Sequence, residues 1–166
     1  MRTFSPSINA PLLIQVHALC ALIALVMGPL AIYRKRRDRL HKTVGYVWVV
    51  AMFSVATTAL FIPSHDLAVI GPLGPIHLFV VLTYWGLWNG MSSILRGDIV
   101  RHRAALRSLY WQGLAIAGMF NFLPGRMVAR SVFPNAPEIG IAIIVFGAIA
   151  LIYIAWQQRR SGLRAA

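Results

Sequence analysis

The chain has 166 residues, is 58% hydrophobic and 12% charged, and carries a formal net charge of +12. That is too little charge to coat a soluble domain, and the apolar residues are gathered in long runs, not in the alternation of a β-barrel. Asp38, Asp66, Asp98 and Glu138 are the only acidic residues, all in loops or at expected helix ends, which argues against a carboxylate-driven pump.

Five apolar runs cover residues 11–33, 43–62, 75–95, 104–123 and 139–157. Each is about 20 residues, enough to cross about 30 Å of hydrocarbon as a helix. Helix is the expected state because each segment must satisfy its own backbone groups. The opening "MRTFSPSINA" has no cleavage-type region, so the first run reads as a retained helix. It holds His17, with Ala21, Ala24 and Gly28 following at helical spacing, and the lone Cys20, which can form no intrachain disulfide.

A basic loop follows, and "RDRLHKTVGYVW" sets His41 just ahead of the second run, which closes at Pro63. His65 stands beside Asp66 in the next loop, too few ligands for a metal, and reads as a solvated residue. The third run begins near His77 and carries Tyr84, Trp85, Trp88, Asn89, Ser92 and Ser93, a group suited to core packing or to the edge of a quinone or haem. The second basic loop, "IVRHRAALRSLYW", sets His102 ahead of the fourth run, which closes at Pro124. The fifth run is apolar all round and starts with "NAPE", a capping pattern with Pro in the first turn. It is expected at the periphery, facing lipid or a partner protein. Tyr33, Tyr46, Trp48, Tyr110, Trp111 and Trp156 fit an aromatic belt at the inner surface.

All Lys and Arg except Arg2, Arg126 and Arg130 fall on one side of these runs. The positive-inside rule makes that side cytoplasmic, with the N-terminus outside and the C-terminus inside. Topology thus accounts for the net charge, anionic lipids are the expected partners of the basic loops, and no nucleic acid is expected.

The histidines repeat with the helices. Pro63 follows His41 by 22 residues, and Pro124 follows His102 by the same interval. His17 precedes His41 by 24 residues and His77 precedes His102 by 25. The unit "His, helix, basic loop, His, helix, Pro" therefore occurs twice, over about 11–63 and 71–124. The expected fold is all-α: two tandem hairpins forming a four-helix bundle, plus a peripheral fifth helix at about 138–157, all one transmembrane domain over residues 1–166.

This topology pairs His17 with His77 near the outer surface and His41 with His102 near the inner one, roughly 24 Å apart at the helical rise. Two neutral imidazoles on different helices at one depth can clamp the iron of a b-type haem. One or two haems are the expected cofactors. Arg103 and Arg107, with Arg39 and Lys42, stand near the inner level for the propionates, and Arg126 and Arg130 near the outer. A single boundary histidine is ordinarily interfacial, and a single buried one a helix-to-helix hydrogen bond. The joint pattern of four carries the haem reading. Two other readings stay open: a haem-free accessory subunit docking lipid or a larger complex, and a small transporter using the histidines as proton relays.

The segments "MGPLAIYRKRRDRLHKTVGYVWV", "RHRAALRSLY" and "PGR" resemble an uncharacterised family of bacterial integral membrane proteins, a membrane domain of unknown function, over most of residues 11–126. That resemblance implies a multi-pass protein of the bacterial inner membrane and brings no activity with it. In layout the chain is also similar to the di-haem transmembrane b-type cytochromes. This similarity implies electron transfer, with His17 and His77 as outer ligands, His41 and His102 as inner ones, and a quinone or larger membrane complex as partner. His41 and His102 lie nearer the membrane edge than that layout has them.

Overall fold

The computed structural model describes residues 10–62, 74, 77–124 and 126–163, and every regular element among them is helical. The expected closing Pro63 and the loop histidine His65 lie outside the described residues. The elements are α1 (Leu12–Ile32), α2 (Arg39–Leu60), α3 (Leu78–Leu95), α4 (Ile99–Ser108), a π-helical segment (Leu109–Ala115), α5 (Ile116–Met119), a 3-10 turn (Phe120–Phe122), α6 (Met127–Val132) and α7 (Pro137–Leu163). Helices α1, α2 and α3 are long and apolar enough to cross a membrane, and α7 contains a shorter apolar stretch, Glu138–Tyr153. The fourth apolar run is helical from Ile99 to Phe122 but changes hydrogen-bond pattern along its length.

The chain divides into two compact units, Ala10–Ala117 and the residues from Gly118 onward. In the first, α1 packs on α2, α2 on α3, α3 on α4, and α4 with its π continuation back on α1, a closed four-helix bundle. In the second, the 3-10 turn, α6 and α7 pack on one another; Gly140 lies against the Phe122 carbonyl and Gly147 against Met119.

The core of the bundle contains Ala24, Trp48, Met52, Leu87, Leu109, Tyr110 and Leu114. Two of these were expected in the aromatic belt. Trp48 is 1% and Tyr110 5% exposed, so both are interior residues. The second lies in the π segment. Leu109 and Tyr110 are sequence neighbours, which an α-helix would point about 100° apart. Both lie at the start of the π segment and both are buried.

Tyr110 reaches a carbonyl that the sequence leaves open. Pro29 lies inside α1 and has no N–H, so the carbonyl four residues earlier, that of Leu25, lacks its helical donor. The Tyr110 hydroxyl donates to it at 3.1 Å. Gly28 makes room: a Cβ there would overlap the Tyr110 ring and lie 2.9 Å from Trp48 Nε1.

The α3–α4 connection is short for a similar local reason. Gly97 has φ +79°, the left-handed conformation that ends helices. The Asp98 N–H bonds Ser93 O at 2.9 Å and the Gly97 N–H bonds Ile94 O at 3.1 Å, closing α3 with a Schellman motif. Gly90 on α3 lets the Leu106 side chain of α4 lie against the helix, since a Cβ would overlap it.

Gly28→Ala is expected to cost about 1–3 kcal/mol, because Tyr110 and Trp48 must both shift. Tyr110→Phe keeps the ring but leaves the Leu25 carbonyl unanswered, and is expected to cost about 1–3 kcal/mol. Both are checked by reversible unfolding in detergent micelles.

Candidate functional site: the His41–His102 cavity

Each basic-loop histidine is placed by an aspartate just before it. Asp38 is the N-cap of α2, and its carboxylate accepts the His41 N–H at 3.0 Å. Asp98 is the N-cap of α4, and its carboxylate accepts the Arg101 N–H at 2.9 Å. Aspartate caps satisfy donors that the first helical turn leaves open. The histidines thus fall three and four residues after their caps, in the first turn of each helix. Arg34 forms an ion pair with Asp38, donating from Nε to Oδ1 at 2.9 Å and also bonding Oδ2. That guanidinium, followed by the His41 N–H, holds the Asp38 carboxyl well below the usual carboxylate range.

His41 and His102 line one cavity of about 270 Å³. Its walls are apolar and come from all four helices: Ala31 and Ile32, Trp48 and Val49, Met91 and Ile94, and Leu106. Arg34, Arg37, Lys42, Arg103 and Arg107 also line it. Gly45, one turn after His41, keeps it open, since a Cβ there would meet nothing within 4 Å. The small residues that follow His17 on α1 serve packing, with Ala24 fully buried in the core and Gly28 against Tyr110.

The two rings differ in their partners. His102 Nδ1 lies 2.8 Å from the Gly90 carbonyl, which can only accept, so Nδ1 donates. His41 Nδ1 is buried without a hydrogen-bond partner. Trp48 Nε1, on another residue lining the cavity, is in the same position. Arg107 lies over the Tyr33 ring at 5.5 Å, and Trp111 Nε1 donates to the Tyr33 hydroxyl at 3.1 Å, a cluster that fixes this guanidinium.

His17 and His77 have separate partners. His17 Nδ1 lies 2.9 Å from Thr58 Oγ1 of α2. Thr58 gives its own hydroxyl hydrogen to the Ser54 carbonyl at 2.7 Å, so His17 donates. His77 is 9% exposed just ahead of α3, and its Nδ1 accepts the Gly74 N–H at 3.1 Å. No described interaction joins His17 to His77. Arg126 is the N-cap residue of α6 and is not among the residues lining the cavity. Among the described residues, no group of three or more His, Cys, Asp or Glu side chains is arranged to hold a metal ion.

The polar group on α3 serves the fold. Tyr84 shares a hydrogen bond with Thr57 at 2.9 Å, Ser93 donates to Asn89 O at 2.7 Å, and Asn89 Oδ1 accepts from Arg101 Nε at 3.0 Å. Trp85 and Trp88 are exposed, and α3 contributes Met91 and Ile94 to the cavity. Sequence reasoning missed Trp48 as a cavity residue and Asp38 and Asp98 as the caps that set both histidines. The Asp-to-His spacing was the available signal for the caps.

A family described as Predicted membrane protein (DUF2306) matches residues 14–158, a longer stretch than the motifs around the two basic loops. No curated protein and no solved structure matches. In a double-mutant cycle on unfolding, His17→Ala and Thr58→Ala are expected to couple by about 0.6 kcal/mol, and at most about 1.7, the range of hydrogen bonds between membrane helices. Additive losses would mean that the two groups do not interact.

Proposed function

The chain belongs to the DUF2306 family of predicted membrane proteins, and on that premise we propose that it is a small electron-transfer protein holding a b-type haem between His41 and His102. One observation carries this reading: two histidines from different hairpins, 61 residues apart in sequence, line one apolar cavity ringed by cations. The residues fit the group. His102, held by the Gly90 carbonyl, keeps Nε2 as a lone-pair donor, the orientation that outer hydrogen bonds impose on metal-binding histidines. His41 lines the same cavity from α2. Lys42, Arg103 and Arg107 would neutralise propionates. Haem would supply a one-electron couple there. The chain's own part is to present two neutral imidazoles, compensate the acidic edge and exclude water with Ile32, Val49, Met91 and Leu106.

The finer topology belongs to the same proposal. It has five spans, formed by α1, α2, α3, the helical run from Ile99 to Phe122, and α7, in a bacterial inner membrane with the N-terminus outside. The distribution of Lys and Arg supports it. Electrons would pass to or from a quinone or a larger membrane complex.

A second reading, a haem-free accessory subunit docked on anionic lipid, is favoured by one observation. Arg37, Lys42 and Arg103 have no carboxylate partner among the described residues.

Protein purified after expression with ample haem supply is expected to show reduced-minus-oxidised bands of a b-type haem. His41→Ala and His102→Ala are each expected to abolish them, and His17→Ala and His77→Ala to leave them. A colourless preparation would overturn the haem reading and leave the accessory one.

A further inference from the structure

We propose that the helix face bearing Ser108 and Gln112 is an interaction surface for a second copy of this chain, held inside the membrane by reciprocal hydrogen bonds between the two Gln112 carboxamides. The proposal rests on the proposed membrane crossing of residues 99–122 and is independent of haem.

Depth comes first. The helical run that starts at Ile99 packs on α1 and α3, both long and apolar enough to cross a membrane. Leu106 shares the cavity with Ile32 at the end of α1, whereas Tyr110 meets Gly28 and the Leu25 carbonyl nearer the middle of that helix. The run therefore heads into the bilayer, and Gln112 lies deeper than Tyr110. Gln112 is exposed and is not among the residues lining the cavity, so it faces outward from the bundle.

At that depth its amide is under-satisfied. Ser108 Oγ donates to Gln112 Oε1 at 3.1 Å, and neither side chain has another hydrogen bond among the described residues. The carboxamide keeps both N–H donors open. Hydrocarbon answers neither, and a polar side chain in a membrane helix is ordinarily answered by another helix.

Self-complementarity selects a second copy. Copies insert in one orientation, so in a twofold pair about the membrane normal Gln112 meets Gln112 at one depth. A carboxamide both donates and accepts, so each Nε2 can bond the Oε1 of the other copy. The surrounding surface suits close approach. Val100, Ala104, Ser108 and Gln112 recur every four residues and are all exposed. Ala104 and Ser108 form the small-xxx-small spacing that lets membrane helices come near enough for side-chain bonds. Arg107, beside this face, is drawn over Tyr33 of its own bundle. The exposed face of α3, with Val81, Trp85 and Trp88, is bulky by comparison.

The test uses the full chain in phosphatidylcholine vesicles. A Cys20→Ser chain with Arg36→Cys in an exposed loop carries the dyes. Energy transfer between copies is expected, falling with a defined midpoint on dilution with lipid. Gln112→Leu presents an apolar side chain to lipid, leaves the core untouched, and is expected to weaken association about tenfold. Ala104→Phe is expected to abolish it by holding the backbones apart. On oxidation, Ser108→Cys in the Cys20→Ser chain is expected to give a covalent dimer, and Val81→Cys on α3 is not. No transfer at any density, or transfer unchanged by Gln112→Leu, overturns the proposal. Gln112→Cys in the same background distinguishes the two ways of failing. A monomeric chain whose thiol resists a water-soluble maleimide keeps the membrane crossing and loses the dimer, with the amide covered from within the chain. A thiol that reacts shows water at Gln112, and both the crossing and the dimer fail.

Discussion

The bundle closes where the π segment meets α1: the Tyr110 hydroxyl donates to the Leu25 carbonyl, and Trp111 Nε1 donates to the Tyr33 hydroxyl. A membrane helix can leave a backbone carbonyl open only if a neighbour answers it. Pro29 opens the carbonyl, Gly28 clears the approach, and the π segment turns Tyr110 inward to fill it. The three features are mutually dependent. Without the proline the hydroxyl would share the Leu25 carbonyl with a helical N–H, and without the glycine the ring cannot come close. Trp48 packs into the same cluster and also lines the cavity, so the packing that closes the bundle shapes one wall of the candidate site.

The two ends of the bundle treat their histidines differently. At the basic-loop end, aspartate caps start two helices at matching points and bring both imidazoles to one cavity. At the other end, each histidine is taken up by a nearby group: His17 by Thr58 across the α1–α2 contact, His77 by the turn at Gly74. The repeat in the sequence is thus matched by one shared pocket and two separate hydrogen bonds.

Charge in this chain has two uses that a net value merges. Most cations fall in the two basic loops and the C-terminal tail. A subset lines the cavity, and its members differ: Arg34 serves the α2 cap, Arg107 is held on Tyr33, and the exposed Arg37, Lys42 and Arg103 have no carboxylate partner among the described residues. With four acidic residues in the whole chain, the protein has little means of neutralising that subset itself.

Length and hydropathy by themselves determined that the chain is a helical membrane protein, because a bilayer admits few ways to satisfy a backbone. The spacing of His41 and His102 in equivalent loops was equally legible, since a helix start is a local event written in its cap. Tertiary structure alone decided the rest. Trp48 and Tyr110 read as belt residues because aromatic side chains near basic loops ordinarily are; their burial depends on a glycine and a proline on another helix and on a π turn that no local pattern announces. The same holds for the partners of His17 and His77. Depth in the membrane follows from position along a helix, but which ring meets which group depends on how the helices are rotated about their axes. That rotation is set by packing between segments far apart in the chain.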